Sequence, residues 1–360
     1  MASLEEIRKA KHDEWLRRQE GDKEGKKRAR DESITDTHAK PSSVEVDISE
    51  ESPAASATAP KRLRIGKVAQ SLTAISSTLK ILTWNVDGLD QHSDEIDMTA
   101  RTMSVAAHIA EQRPQIVLLQ ELVDFNLQWF KRLLSEFYDF YIQSSPALPY
   151  FVGILIDRSA VCVKGPLITD NFSTTKMGRA LVSLTGAILL PGGNRINLHV
   201  ATAHLESTKS FGKARIEQLK ESFADLRRSV AENGASLAIF GGDLNIRDNE
   251  VREALQVGSG EVDIKDSWEA CGRPKDAEFT WDMRRNDNLG LKGKPKARFD
   301  RLYFAHCEEL KICPMSFKLV GTERCDLDEI KGKKRFPSDH FGIEFELKID
   351  KKVIDLSDDS

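Results

Sequence analysis

No stretch of the sequence comes near the ~20 consecutive apolar residues that a membrane span requires. None of its five cysteines (Cys162, Cys271, Cys307, Cys313 and Cys325) stands in a Cys-x-x-Cys pair. An odd, scattered set of this kind argues against a disulfide framework or structural zinc and favours reduced thiols in an intracellular compartment. A surplus of positive charge is missing too: 53 Lys and Arg against 57 Asp and Glu leave a formal charge of −4. That excludes a broad basic surface coating nucleic acid, yet leaves room for a small local site at a strand end. The opening residues are charged and do not resemble a signal peptide. What is present, 40% hydrophobic and 31% charged residues over 360 positions, is the composition of an ordinary soluble protein.

Aromatic residues are nearly absent from residues 1–77, which hold only Trp15 among many Ser, Ala, Pro, Lys and Glu. Such a segment cannot bury enough apolar surface to offset its chain entropy, so a disordered tail is expected there. Within it Ser3–Glu20 suits one polar helix. The clusters Lys26-Lys-Arg-Ala-Arg30 and Pro60-Lys-Arg-Leu-Arg64 have the form of nuclear-import signals, pointing to the nucleus with the cytoplasm as the second choice. A folded domain is expected over 78–350, and a short acidic end over 351–360.

From Thr78 onward the pattern is that of an α/β domain. Apolar runs read as strands at Leu79–Trp84, Ile116–Leu119, Phe137–Ile142, Phe151–Ile156 and Leu237–Phe240. Leu181–Leu190 and Arg195–Ala203 are joined by Pro191-Gly-Gly-Asn194, a hairpin signal. Later strands are expected at Phe279–Asp282, Arg298–Phe304, Ser316–Val320 and Phe341–Ile349. Helical spacing marks Met98–Ala110, Leu127–Leu134 and, most clearly, Ile216, Leu219, Phe223, Leu226 and Val230. Many strands with three main helices suit packed sheets with helices outside, and no internal repeat is visible.

The chemistry-bearing residues collect at strand ends. Leu237–Phe240 runs into Gly241-Gly242 and then presents Asp243, Asn245 and Arg247 at alternating positions. Extended backbone would turn that carboxylate, carboxamide and guanidinium to one face. A base, a positioner and a phosphate anchor are what phosphodiester hydrolysis asks for. The same residues also make good β-turn sequence. Asn85 and Asp87, Glu121, His204 and Glu206, Asp300, and Asp339-His340 likewise end apolar runs. Each has a bland alternative: a turn at Asn85, a helix cap at Glu121, an ion pair at Asp300, a core histidine at His340. Their joint occurrence argues for a site.

Thr83-Trp-Asn-Val-Asp-Gly-Leu89, Leu119-Gln-Glu121, His204-Leu-Glu-Ser-Thr208, Gly242-Asp-Leu-Asn-Ile-Arg-Asp248, Thr280-Trp-Asp282, Arg298-Phe-Asp-Arg301 and Phe336-Pro-Ser-Asp-His340 stand in this order. The set resembles the exonuclease–endonuclease–phosphatase superfamily and, within it, the 5′-tyrosyl-DNA phosphodiesterases, which release topoisomerase II peptides from DNA 5′ ends. The resemblance covers about Thr78–Ile349. It implies a four-layer α/β sandwich, two mixed sheets flanked by helices, and a divalent metal (Mg²⁺ or Mn²⁺) at Glu121 with Asp87. By the same resemblance Asp243 would be the general base with Asn245 holding the water. His204, His340 and Asn85 would donate to the non-bridging phosphate oxygens, Asp300 would hold the His340 ring, and Asp339 beside it would belong to the catalytic group. Ser207, Lys209 and Arg247 would grip the 5′ phosphate side, with Trp281, Phe299 and Tyr150 contacting the substrate. Where the family commonly has arginine this chain has Lys209, which loses the bidentate fork. The implied partners are DNA 5′ ends bearing a tyrosyl or peptide adduct, with no membrane and a monomeric protein. The N-terminal ubiquitin-binding domain of vertebrate members has no visible counterpart.

Three other readings remain. An abasic-site endonuclease of the same superfamily shares Trp-Asn-Val-Asp-Gly-Leu and Ser-Asp-His, but has an Asn-bearing segment where His204-Leu-Glu-Ser-Thr208 stands. A lipid or inositol phosphatase would need a membrane-facing apolar loop that the sequence lacks. An inactive scaffold would be expected to have lost Glu121, Asp243 or His340. Because residues 1–77 hold neither periodicity nor candidate ligands, a chain beginning near Ser76 is expected to match the intact chain on a short oligonucleotide. A tenfold loss at equal folding, measured by turnover and circular dichroism, would bring the tail into the site.

Overall fold

The computed structural model describes residues 77–90, 92–143, 149–255, 262–325 and 334–352. The N-terminal tail apart from Ser77, both basic clusters, and the acidic end beyond residue 352 lie outside the described residues. In chain order the elements are β1 (Thr78–Asn85), α1 (Glu95–Gln112), β2 (Ile116–Leu122), α2 (Asp124–Leu134), β3 (Tyr138–Ile142), β4 (Phe151–Asp157), β5 (Val161–Asn171), β6 (Ala180–Leu189) and β7 (Arg195–His204). There follow α3 (Gly212–Ala231), β8 (Leu237–Asp243), α4 (Asp248–Leu255), β9 (Lys265–Asp266), α5 (Ser267–Ala270), β10 (Trp281–Asp282), β11 (Lys296–Ala297), β12 (Asp300–His306), β13 (Leu310–Val320) and β14 (Gly342–Lys351).

Two six-stranded mixed sheets, ordered β13-β14-β1-β2-β4-β3 and β5-β6-β7-β8-β12-β9, form the body. Their central strands read as continuous apolar runs because both faces are covered. Alternation sorts the side chains. Leu79, Ile81, Ile116 and Leu118 of the first sheet meet Leu198, Val200, Leu237 and Ile239 of the second in the central core. Leu82, Trp84, Val117 and Leu119 face the other way, onto Val105, Ile109, Phe130 and Leu134 of α1 and α2. Ala238, Phe240 and Tyr303 face Ile216, Leu219, Phe223 and Leu226, the apolar stripe of α3. The expected four layers result, each buried Leu, Ile or Phe contributing about 1.5–3 kcal/mol.

Helices placed between strands dictate strand direction. A crossover helix lets two neighbours run parallel, and the β1–β2 and β7–β8 pairs are parallel, bridged by α1 and α3. Helix α1 is capped by the Asp94 side chain, which accepts from the Asp97 amide, and stops at left-handed Arg113 before Pro114. The hairpin expected at Pro191-Gly-Gly-Asn194 joins β6 to β7 in antiparallel register.

Some elements differ from the sequence reading. Strand β5 was not expected: it is a largely exposed edge strand whose run of Lys, Gly, Pro, Thr, Asp and Asn carries no apolar alternation. Helix α4, only eight residues, also escaped notice. The strand expected over Phe279–Asp282 shrinks to Trp281–Asp282, because Thr280 turns inward and its hydroxyl accepts from the Asp300 amide.

Trp84 links this packing to the site. Its indole Nε1 donates to the His340 carbonyl at 3.0 Å. Gly321, at φ +70, lies against the same ring, and a Cβ there would stand 2.2 Å from Cζ2. Gly321→Ala is therefore expected to destabilise the protein through overpacking, about 1–3 kcal/mol, plus a left-handed alanine, about 1–2 kcal/mol. Urea unfolding measures the change, and a loss below about 0.5 kcal/mol would contradict this packing.

Candidate active site

The two parallel pairs bring four strand exits to one end of the sandwich. Asn85 closes β1, Glu121 lies near the end of β2, His204 closes β7 and Asp243 closes β8. Register places His204 opposite Asp243 across β7 and β8, and Asp300, the first residue of β12, opposite Asp243 on its other side. His340 enters from the segment just before β14, the neighbour of β1.

These side chains converge on the Asp243 carboxylate, which is 2% exposed. Its Oδ2 accepts from Asn85 Nδ2 at 2.9 Å and faces His204 Nε2 at 3.4 Å and His340 Nε2 at 3.8 Å. Its Oδ1 accepts from the Asn245 amide at 3.0 Å. The close approach depends on Gly242, at φ +152, where a Cβ would lie 2.0 Å from the Ala203 carbonyl oxygen.

Burial and charge set the protonation states. Burial pushes Asp243 up to about 6, with the Asp300 charge adding to the effect against His340 and Asn85. Glu121 is pushed up to about 7, by burial first and then by the charges of Asp339 and Asp243. Burial would lower His340, but Asp300, Asp339 and Asp243 outweigh it and hold the ring well above its ordinary range. Asp300 Oδ2 meets His340 Nδ1 at 2.8 Å, which orients an imidazolium with Nε2 toward Asp243. His204 goes the other way, kept neutral by burial, Arg179 and His340.

The donor set fits a divalent cation. Glu121, His204 and Asp243 can each offer an atom within 4.8 Å of the others, and so can Asp243, Asp300 and His340. Each trio holds two carboxylates, but in the second the charged His340 ring stands between them on its Asp300 hydrogen bond. In the first the histidine is neutral, and the crowded negative charge is one that a cation relieves. Asp87, expected beside Glu121 as a ligand, lies outside both trios, with its Oδ2 on Arg101 Nη2 at 2.6 Å. Arg101 is itself buried and also holds Asp90 and the Phe336 and Pro337 carbonyls, tying Asp87 to the segment that carries His340.

Of the residues expected to face substrate, Trp281 and Tyr150 touch residues of this centre, and Ser207, Lys209 and Arg247 lie on the loops that follow β7 and β8. Trp281 Nε1 donates to Asp339 Oδ2 at 3.1 Å, and its ring packs 5.5 Å from Phe299 at 41°. The Arg247 guanidinium lies 5.8 Å from the Phe299 ring. Ser207 Oγ points to Met177 Sδ at 3.3 Å, and Lys209 is exposed on a short 3₁₀ turn. Tyr150 stands 5.7 Å from the His204 ring.

The alternation expected of Asp243, Asn245 and Arg247 does not occur. The strand ends at Asp243, and Asn245 adopts φ 49, so its side chain turns back toward the Leu205 carbonyl at 3.4 Å. The turn reading holds, since an Asx turn closed by the Asp243 Oδ1 hydrogen bond from the Asn245 backbone amide follows the strand. Arg179 was missed. It lies 5.0 Å over Tyr150 and shares a pocket with Gln143, Phe151, Met177 and His204. A lone arginine before an apolar strand gave no signal. Glu206, noted without a role, accepts from Thr175 Oγ1 and the Lys176 and Met177 amides, holding the segment that leads to Arg179. Ser338 was quoted only as part of a motif; its Oγ donates to the Asn85 carbonyl at 2.6 Å and accepts from the His340 amide.

Residues 82–340 match the Endonuclease/Exonuclease/phosphatase family. The chain is 35% identical to tyrosyl-DNA phosphodiesterase 2 of Rattus norvegicus over 74% of its own length and 66% of that protein. It is 34% identical to the same-named protein of Xenopus laevis over 76% of its length and 70% of that protein. The chain thus spans about two thirds of the curated relatives it matches. Among solved structures, D. rerio TDP2 complexed with single-strand DNA product aligns with a TM-score of 0.65 at 30% identity, covering 75% of this chain and 99% of that one. TDP2 from C. elegans aligns with a TM-score of 0.63 at 33% identity, covering 75% of each. Sequence, fold and the order of the strand-end residues agree: this chain belongs to the endonuclease/exonuclease/phosphatase family, in its tyrosyl-DNA phosphodiesterase branch.

Proposed function

We propose that this protein is a metal-dependent phosphodiesterase that hydrolyses the 5′-phosphotyrosyl bond between DNA and a topoisomerase II-derived peptide, leaving a 5′ phosphate. What carries the reading is the buried Asp243 carboxylate with Asn85, His204 and His340 gathered on it, in a chain aligned with a relative whose structure holds a DNA product.

Asp243 takes the proton of the attacking water; its raised affinity for a proton suits a base working near neutral pH. Asn85 fixes Oδ2 and the Asn245 amide fixes Oδ1, so the carboxylate meets the water in one orientation. The His340 imidazolium, held by Asp300, donates toward the non-bridging oxygens as charge builds there. Glu121 is assigned to a Mg²⁺ or Mn²⁺ ion, with Asp87 held behind it on Arg101. Such an ion would neutralise charge on the bound phosphate. The leaving tyrosine phenol has a pKa near ~10, so its oxygen departs with less help than a sugar hydroxyl needs. Trp281 and Phe299 form an apolar wall for the terminal base, where stacking is worth about 1–3 kcal/mol. Ser207, Lys209 and Arg247 hold the 5′ phosphate side. We place the protein in the nucleus, on the strength of the two basic clusters in residues 1–77, and take it to act as a monomer.

Two measurements test this. Chelation by EDTA is expected to abolish turnover and Mg²⁺ to restore it, with Glu121→Gln needing far more metal; full activity in chelator would refute the metal assignment. On matched 5′-tyrosyl, 3′-tyrosyl and internal abasic oligonucleotides, the 5′-tyrosyl end is expected to be cleaved fastest, leaving a 5′ phosphate. Faster cleavage of the abasic duplex would move the protein to the endonuclease branch.

A further inference from the structure

Behind the loops that follow β7 and β8 lies a buried ion pair that the chemistry above does not use. Arg215, in the first turn of α3, is 0% exposed, and Glu250, in α4, is also buried. Arg215 Nε and Nη2 donate to the two Glu250 oxygens at 3.2 and 2.8 Å. Its Nη1 donates to the carbonyls of Glu206, at 3.0 Å, and Thr208. Glu250 Oε2 in turn accepts from the Arg247 amide at 3.0 Å. One guanidinium and one carboxylate therefore tie the exit of β7 to the exit of β8.

Each loop so tied carries residues assigned to the substrate: Ser207 and Lys209 on one, Asn245 and Arg247 on the other. Both ties act on the backbone next to those side chains. Thr208 sits at φ 66, a position that a β-branched residue takes only when it is held, and its carbonyl is one of the groups that Arg215 grips. Glu250 stands third in α4 and reaches back to the amide just before the helix, as the acid of a capping box does. It thereby fixes where the chain turns after Arg247, whose own side chain is 43% exposed and only 3.8 Å from Glu250 Oε1. Among the described residues, none of these bonds of Arg215 and Glu250 reaches Asp243, His340 or Glu121.

We infer that the buried Arg215–Glu250 pair is a positioning device that sets the separation of the two loops gripping the 5′ phosphate side, and so governs how tightly the strand end is held rather than how fast its bond is cut. The inference rests on the proposed roles of Ser207, Lys209 and Arg247. A guanidinium suits the task because its planar fork serves the carboxylate and two carbonyls at once, which an ammonium does not.

Steady-state kinetics on a 5′-phosphotyrosyl oligonucleotide with the full chain and Mg²⁺ test it. Arg247→Ala, which tests the grip itself, is expected to raise KM about tenfold with kcat within about twofold. Glu250→Gln, which keeps one acceptor for the Arg247 amide but loses the paired charge, is expected to raise KM about three- to tenfold at unchanged kcat. In the double variant the two effects should fall short of multiplying, because part of the Glu250 effect passes through the Arg247 grip and the rest through the loop of Ser207 and Lys209. Should Glu250→Gln fail to fold, Arg215→Lys serves instead, with the same KM shift at unchanged kcat. A KM effect for Arg247→Ala with silent Glu250→Gln and Arg215→Lys overturns the positioning role while leaving the grip intact. Multiplying effects in the double variant, or loss of kcat in step with thermal stability, overturn it as well. A silent Arg247→Ala sinks the assigned grip, and the positioning role falls with it.

Discussion

A carboxylate that is almost wholly out of water is the constraint on which this molecule turns. Burying an ion costs several kcal/mol unless donors and opposite charge are brought to it. Asp243 receives Asn85, His204 and His340, which reach it from three different strand ends or their approaches. That meeting requires β1, β7 and β8 to end at one level, and so it requires two parallel pairs, their crossover helices and two sheets pressed face to face. The central core and the site are thus one problem: a slip of one residue in β8 would turn Asp243 to the other face and Phe240 into the core between the sheets.

The electrostatics follow from the same burial. Burial first, then the charges of Asp339 and Asp243, push Glu121 up to about 7. Asp300, Asp339 and Asp243 hold a proton on His340 against its burial, while His204 stays neutral through burial and the charges of Arg179 and His340. Two histidines within reach of one carboxylate therefore hold opposite protonation states, one suited to donating charge and the other to accepting a hydrogen bond or a cation. Backbone strain gathers here too. Of seven non-glycine residues with positive φ among the described residues, Asp87, Thr208 and Asn245 belong to the loops of the site and Glu121 to the end of β2. Strain of this kind persists only where surrounding contacts enforce it, and the buried Arg101 and Arg215 supply such contacts to Asp87 and Thr208.

Asn85, Glu121, His204 and Asp243 were legible because each closes a run of apolar residues that reads as a buried strand, whereas Asp300 opens β12 and His340 precedes β14, so neither ends an apolar strand as expected. The apolar runs and helical spacing gave packed sheets with helices outside, while the four layers and the roles of Asn85, Glu121, His204, Asp243, Asp300 and His340 were what the resemblance implied. Less legible were groups whose partners lie far away in sequence: Arg101 reaches carbonyls 235 and 236 residues on, and Arg215 an acid 35 residues on. An arginine in an amphipathic helix reads as surface until its acceptors are known. Strand β5 hid for the opposite reason, since an exposed edge carries no apolar period. The expectation that Asp243, Asn245 and Arg247 alternate along one strand failed at a single dihedral, the left-handed Asn245, which sequence composition alone does not specify.

The role of Asp243 is tested most directly by single-turnover cleavage of a 5′-phosphotyrosyl oligonucleotide by Asp243→Asn, with binding of the same oligonucleotide and thermal unfolding followed in parallel. Asparagine keeps an acceptor for Asn85 but cannot take the proton of water. The rate is expected to fall by about 10²–10⁴ or more, with binding and stability retained. Cleavage by the variant within about tenfold of the parent rate would contradict this role and assign the water to another group.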